Sequence, residues 1–234
     1  MNEMKVYHGS DHIIQLPEYL GGKEDNDYGN GFYTTEYEDR ARSWAVLNGI
    51  PEKSIVNVYE LDSSNLNILD LNEKGVLAWI AEVVANRGIS DENAAIIGER
   101  LVELYKPDTS QADIIKGYRA DDSYTQVIEA FLLNQINLYE VERLFYKGSL
   151  GNQIFLKSKE AFENIRWIEA YSVSITEEDR QSDLFARREV GKFLSERMKA
   201  ILLDGFQPTG ITARYAVQNR VIYQGNGGYG NASI

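Results

Sequence analysis

The sequence predicts an α+β fold in which short apolar strands alternate with amphipathic helices along most of its 234 residues. Three observations carry that reading. Stretches such as Ser54 to Leu61 alternate with a period of two and are rich in Val, Ile and Tyr, as a half-buried strand requires. Others, such as Asn72 to Arg87 and Ser90 to Tyr105, repeat their apolar residues at helical spacing. The composition, 43% apolar and 26% charged, is that of a chain that folds around a core, and the length suits one domain, or one domain with an appendage.

Taken in order, Lys5 to Gly9 reads as a buried strand running into a loop, and Pro17 to Gly31 is a long irregular loop full of Gly, Asp and Asn. A helix beginning near Tyr37 carries Ala41, Trp44, Ala45 and Leu47 on one side, with Thr35 as its candidate cap. Ser54 to Leu61 and the shorter Leu66 to Leu69 are strands. A helical insert over residues 72–106 follows, its second helix opened by Ser90 and closed by Pro107.

Ala112 to Tyr118 is a further strand, after which Asp121 or Asp122 caps a helix holding Tyr124, Val127, Ile128 and Phe131. Another helix holds Leu138, Val141, Leu144 and Phe145. Gln153 to Lys157 reads as a strand, Ser158 caps a short helix through Ile165, and Trp167 to Ile175 alternates as a strand. Ser182 to Asp204 is a long helical pattern with Phe185, Val190, Phe193, Leu194, Ile201 and Leu202, stopped by Gly205. From Gly225 on there is little to bury. The organisation predicted is a main domain over 1–175 with the insert at 72–106, then a C-terminal helical extension over 176–234 with a flexible tail.

Net charge and residue usage exclude several classes of function. A formal charge of −12 argues against a broad phosphate-binding surface, which needs clustered Lys and Arg. With no cysteine there is no disulfide, thiolate metal site or cysteine nucleophile. No paired-histidine metal spacing, P-loop or dinucleotide fingerprint occurs. Met1 to Ser10 lacks a signal-peptide pattern, and the most apolar run, Gly75 to Ala85, is too short to span a bilayer and contains Glu82. The expectation is a cytoplasmic protein that does not enter membranes.

Three short motifs remain. Tyr7-His8-Gly9-Ser10 ends the first strand and holds one of the two histidines. Asp27-Tyr28-Gly29-Asn30-Gly31-Phe32-Tyr33-Thr34-Thr35 combines glycines, which let backbone approach closely, with aromatic faces. Gly151-Asn152-Gln153-Ile154-Phe155-Leu156 puts an amide at the head of an apolar strand. Singly, each has a bland alternative: a histidine bonded to nearby backbone, a glycine-rich turn, a surface amide.

Together and in this order they resemble the His-Tyr-Glu branch of the ADP-ribosyltransferase superfamily, and more closely an uncharacterised bacterial family within it that carries Gln in the third motif. The helix segment Arg40 to Ala45 and the Gly-x-x-Ala-Asp-Asp pattern of Gly117, Ala120, Asp121 and Asp122 extend the likeness, which runs from residue 5 to about 168. It implies an ADP-ribosyltransferase-like split β-sheet core with the helical insert and an appended C-terminal helix. NAD is then the substrate. By that resemblance His8 bonds the adenosine ribose, Gly9 offers backbone to the nicotinamide amide, Tyr33 stacks on the nicotinamide ring, and Ser10 and Gly31 complete the NAD-binding set. Gln153 reaches the hydroxyl of the nicotinamide ribose.

Nicotinamide leaves NAD as a neutral molecule, so no acid is needed; the barrier lies in an oxocarbenium-like transition state that a fixed negative charge stabilises. A glutamate supplies that charge and Gln153 does not. The loss is roughly 4 kcal/mol for a charge about 4 Å away at an effective dielectric of about 20, about a thousandfold in rate. Another carboxylate, with Asp121 or Asp122 the candidates, replaces it; or the acceptor brings one; or the site binds NAD without turnover. The leading reading is a mono-ADP-ribosyltransferase acting on a macromolecular acceptor, protein or nucleic acid, met by the open loop from Asp11 to Gly31. Relatives of this kind serve as toxins, in toxin–antitoxin pairs with a cognate antitoxin, or in phage defence. The alternatives are an inactive NAD-binding or interaction module and an NAD glycohydrolase.

Overall fold

The computed structural model describes residues 3–47, 54–119, 122–147, 152–174, 177–225 and 228–231. They form a mixed α+β structure with several sheets. In chain order the elements are β1 (Glu3–Ser10), β2 (Phe32–Thr34), α1 (Glu38–Leu47), β3 (Ile55–Asp62), β4 (Ile68–Asp70), α2 (Val76–Arg87), α3 (Glu92–Tyr105), β5 (Ile114–Tyr118) and α4 (Asp122–Leu132). There follow α5 (Leu138–Lys147), β6 (Asn152–Leu156), α6 (Lys159–Glu163), β7 (Ile165–Ser172), α7 (Glu177–Asp204), α8 (Ala213–Asn219), β8 (Val221–Gly225) and β9 (Gly228–Asn231). The chain divides into two units: Met1–Asp70 with Asp108–Arg119 and Leu150–Leu184, and Leu71–Pro107 with Ala120–Ser149 and Phe185–Ile234.

The first unit holds two sheets. One is antiparallel, in the order β1-β3-β7; the other runs β2-β6-β5-β4, with only the β4–β5 pair parallel. A two-bond bridge joins them: the Tyr7 N–H donates to the Thr35 carbonyl at 2.8 Å and the Thr35 N–H to the Tyr7 carbonyl at 2.9 Å. Strand β2 is only three residues long, and side chains extend its hold on β6. Thr34 and Thr35 donate their hydroxyls to the Ile154 and Asn152 carbonyls, each at 3.0 Å. Thr35 also accepts from the Tyr37 N–H just ahead of α1, so it bonds the turn before that helix and is not its terminal cap.

Period-two alternation sorts the side chains of β6. Ile154 and Leu156 turn inward to a core with Val6, Phe32, Tyr59, Leu61, Ile114 and Ala161, all buried; each of the Val, Leu, Ile and Phe side chains among them contributes roughly 1.5–3 kcal/mol on burial. Gln153 and Phe155 take the other face. Helix α1 covers β1 and β3 through Ala41, Ala45, Val56 and Val58, and Trp44 is buried, as its place in the helical stripe predicts, beneath the Arg119 guanidinium.

In the second unit α2 is buried continuously from Val76 to Val84, the pattern of a helix apolar on all sides. Trp79 packs edge-on against Phe145 with ring centroids 4.8 Å apart. Glu82 is buried too, held by Lys106 at 3.5 Å and by the Asn86 amide at 3.0 Å. Helix α3 is capped by Asp91, one residue later than the Ser90 expected, because the Asp91 carboxylate accepts from both the Asn93 and Ala94 N–H groups at 2.9 Å.

Two features of this unit do not show in the sequence pattern. The Arg197 side chain is largely buried: it pairs with Glu140 and lies over the Phe193 and Phe206 rings. Where composition points to a flexible tail, β8 and β9 pair as a hairpin whose Tyr229 hydroxyl accepts from the Val76 N–H at 3.0 Å and donates to Glu142 at 3.1 Å. Only part of α7 is apolar in effect, since Val190 is buried while Leu202 and Leu203 stand exposed. Among the described residues no helix is long and apolar enough to cross a membrane.

Candidate functional site

The three motifs lie in the first unit, at the bridge between its sheets. His8 is on β1, next to the bridging Tyr7; its Nδ1 is 2.6 Å from the Tyr33 carbonyl oxygen on β2. A carbonyl only accepts, so Nδ1 carries the proton and Nε2 presents a lone pair. Burial lowers the His8 pKa to about 4, outweighing the opposing effect of the bond to Tyr33. The ring is therefore neutral at physiological pH. It also packs on Phe32, with centroids 4.5 Å apart.

Gly9 and Gly31 are required by packing. A Cβ on Gly9 would lie 2.0 Å from the Ala41 carbonyl of α1, and one on Gly31 would lie 2.4 Å from the Leu156 carbonyl and from the Phe155 ring. Ser10 is buried and its hydroxyl is committed, donating to the His12 carbonyl at 2.6 Å and accepting from Asn57 at 2.9 Å. Asn57 in turn accepts from the Ile14 N–H at 2.8 Å. This buried amide on β3, absent from the sequence reading, fixes the start of the loop after β1.

Strand register brings the second and third motifs onto one face. Tyr33 pairs with Phe155 across β2 and β6, and cross-strand partners share a face; Gln153, two residues before Phe155, projects the same way. Tyr33 is half-buried and its ring centroid is 4.7 Å from that of Phe155. Its hydroxyl donates to the Gly29 carbonyl at 2.8 Å and accepts from the Tyr28 N–H at 3.0 Å.

Through those bonds the end of the Pro17 to Gly31 loop folds onto the face. Gly29, at φ 86°, makes the left-handed turn, Tyr28 stacks near Tyr33 and donates its hydroxyl to the Tyr118 carbonyl at 2.6 Å. Asp27 is thereby delivered to Gln153. The stretch from Asp11 to Asp25 is thus largely open, with Ile13, Leu16, Tyr19 and Leu20 exposed, while Asp27, Tyr28 and Gly29 are buried.

Gln153 is 2% exposed. Its Nε2 donates to the Asp27 carboxylate at 2.9 Å and to the Tyr118 carbonyl at 3.3 Å. Both partners are acceptors, which fixes the orientation of the amide and leaves Oε1 as an acceptor turned away from Asp27. The two residues are 126 apart in sequence. Asp27 heads the second motif, and nothing in the sequence pairs it with Gln153.

The other expected carboxylates are Asp121 and Asp122. Asp121 lies outside the described residues, as does the side chain of Asp122, the first residue of α4. The structure therefore bonds His8 to the Tyr33 strand, places Tyr33 and Gln153 on one sheet face with Asp27 against Gln153, and sets Gly9, Ser10 and Gly31 in the flanking backbone, Ser10 bonded to Asn57. Among the described residues no cluster of ligating side chains could hold a metal ion. No curated protein and no solved structure matches the chain. A family model does match, over residues 4–167, a span that takes in all three motifs, and the chain belongs to that family, described as a protein of unknown function (DUF3990).

Proposed function

We propose that this chain binds NAD at the bridge between the two sheets, where His8 meets the Tyr33 backbone and Tyr33 and Gln153 share a face, and transfers its ADP-ribose to a macromolecular acceptor, as the motif resemblance to ADP-ribosyltransferases implies. The observation that carries the reading is the convergence of those residues: the His8 ring bonds the Tyr33 carbonyl, and Tyr33 and Gln153 share one sheet face. Each is in a state suited to its role. Neutral His8 offers Nε2 to a ribose hydroxyl, half-buried Tyr33 offers an aromatic surface to the nicotinamide ring, and Gln153 offers Oε1 to the other ribose. Gly9 and Gly31 let the surrounding backbone close up.

Labelled NAD incubated with the protein and a bacterial lysate tests this. Label on a protein or nucleic-acid acceptor supports transfer. Nicotinamide release without labelled acceptor supports the glycohydrolase alternative, and intact NAD with no label refutes an enzyme. A second reading, an NAD-binding module without turnover, draws on one observation: the strand position nearest the proposed ribose is a neutral, 2% exposed amide. Calorimetric binding of NAD without consumption favours it.

A further inference from the structure

We infer that Asp27 supplies, through Gln153, the negative charge that the third motif itself lacks. The inference rests on the NAD reading above and deepens it. Its observation is the buried contact between the Asp27 carboxylate and Gln153 Nε2 at 2.9 Å. Two features of the surroundings make the contact more than a chance surface pairing: both residues are buried, at 6% and 2% exposure, and a loop with a left-handed glycine is folded specifically to seat Asp27 there, tied down by Tyr28 and Tyr33.

An amide that donates to a carboxylate is polarised: electron density shifts toward Oε1, the atom left facing away from Asp27. A neutral glutamine then acts as a stronger acceptor, and the field of the carboxylate extends past it. In the transfer step the bond between ribose C1′ and the nicotinamide nitrogen breaks with its electron pair going to nicotinamide, which leaves neutral. A nucleophilic atom of the acceptor, or water, gives a pair to C1′ and releases its proton to solvent. Positive charge builds on the ribose between those events, and Asp27 stabilises it without touching the substrate. Asp27 is therefore a positioning residue. A charge one amide further out, about 7 Å from the ribose, is worth about fiftyfold in rate where one at 4 Å is worth about a thousandfold.

Asp27→Asn keeps the size and still accepts from Gln153, so it removes charge alone. Nicotinamide release from NAD by wild type, Asp27→Asn and the double variant Asp27→Asn/Gln153→Glu is the test, with NAD affinity measured by calorimetry on each. Asp27→Asn is expected to lower kcat about fiftyfold at nearly unchanged KM, and the double variant, which moves the charge one amide closer to the ribose, to restore turnover to wild-type level or above. Turnover of Asp27→Asn within about threefold of wild type overturns the inference, as does a folded, NAD-binding double variant that stays slow. Should Asp27→Asn fail to fold, the double variant alone decides by the same criterion. Failure of the wild type to bind or cleave NAD removes the parent reading, and this inference with it, and is a different result from an active wild type indifferent to Asp27.

Discussion

At Gly9 the absence of a side chain is what allows α1 to lie against β1: a single methyl would sit 2.0 Å from the Ala41 carbonyl. One residue earlier, His8 shows how the same tight packing sets a protonation state. Burial holds its pKa near 4, against about 6.5 for an exposed histidine. The unfolded chain therefore takes up a proton at higher pH than the folded one. Stability from this residue is complete above pH 6.5 and is lost as pH falls from there toward 4, about 2 kcal/mol by pH 5. We expect urea midpoints to drop between about pH 7.5 and pH 5, and His8→Asn to remove a share of that drop worth about 2 kcal/mol. An equal acid loss in both proteins would contradict the burial of a neutral ring. The histidine, Gly9, Tyr33 and Gln153 were legible in the sequence only as three motifs taken together in an order that resembles the ADP-ribosyltransferases, since singly each has a bland reading. Asn57 and Asp27 were not, since a buried amide or carboxylate looks like any surface one until its partner, 126 residues away for Asp27, is known.

At the scale of elements, helix existence followed from periodicity and helix ends did not. Ser90 and Asp91 are both good caps by residue type. The choice falls on Asp91, whose carboxylate reaches two free N–H groups at the start of α3 and also favours the positive end of the helix dipole. Asp91→Ala is expected to cost about 1 kcal/mol and Ser90→Ala close to nothing, read as the shift in denaturant midpoint; the reverse order would restore Ser90 as the cap. Helix α8 was missed because seven residues give too short a period to see, although Thr212 caps it through the Tyr215 N–H. Strand β2, three residues long, was visible only as the exit of a glycine-rich turn, since three residues are too few to show a period of two.

For the molecule as a whole, the β8–β9 hairpin reaches far back along the chain within the second unit. Tyr229 satisfies an N–H at the start of α2, 153 residues away, and bonds Glu142, whose carboxyl burial pushes to a raised pKa. Tyr229→Phe leaves both without that partner and is expected to cost about 1–3 kcal/mol, measured by thermal or urea unfolding; an unchanged midpoint would mean the hairpin does not brace the unit. By itself the sequence determined the α+β class, most strands and helices and the exclusion of cysteine chemistry, because those depend on residue type and on periods of two and 3.6 along the chain; the motif residues stand out in it through their combined order and resemblance. Tertiary structure alone decided that the insert and the late segments form one unit, that the tail is a hairpin, and that Asp27 meets Gln153. Such facts depend on which distant groups satisfy one another once water is excluded, and local pattern carries no record of the partner.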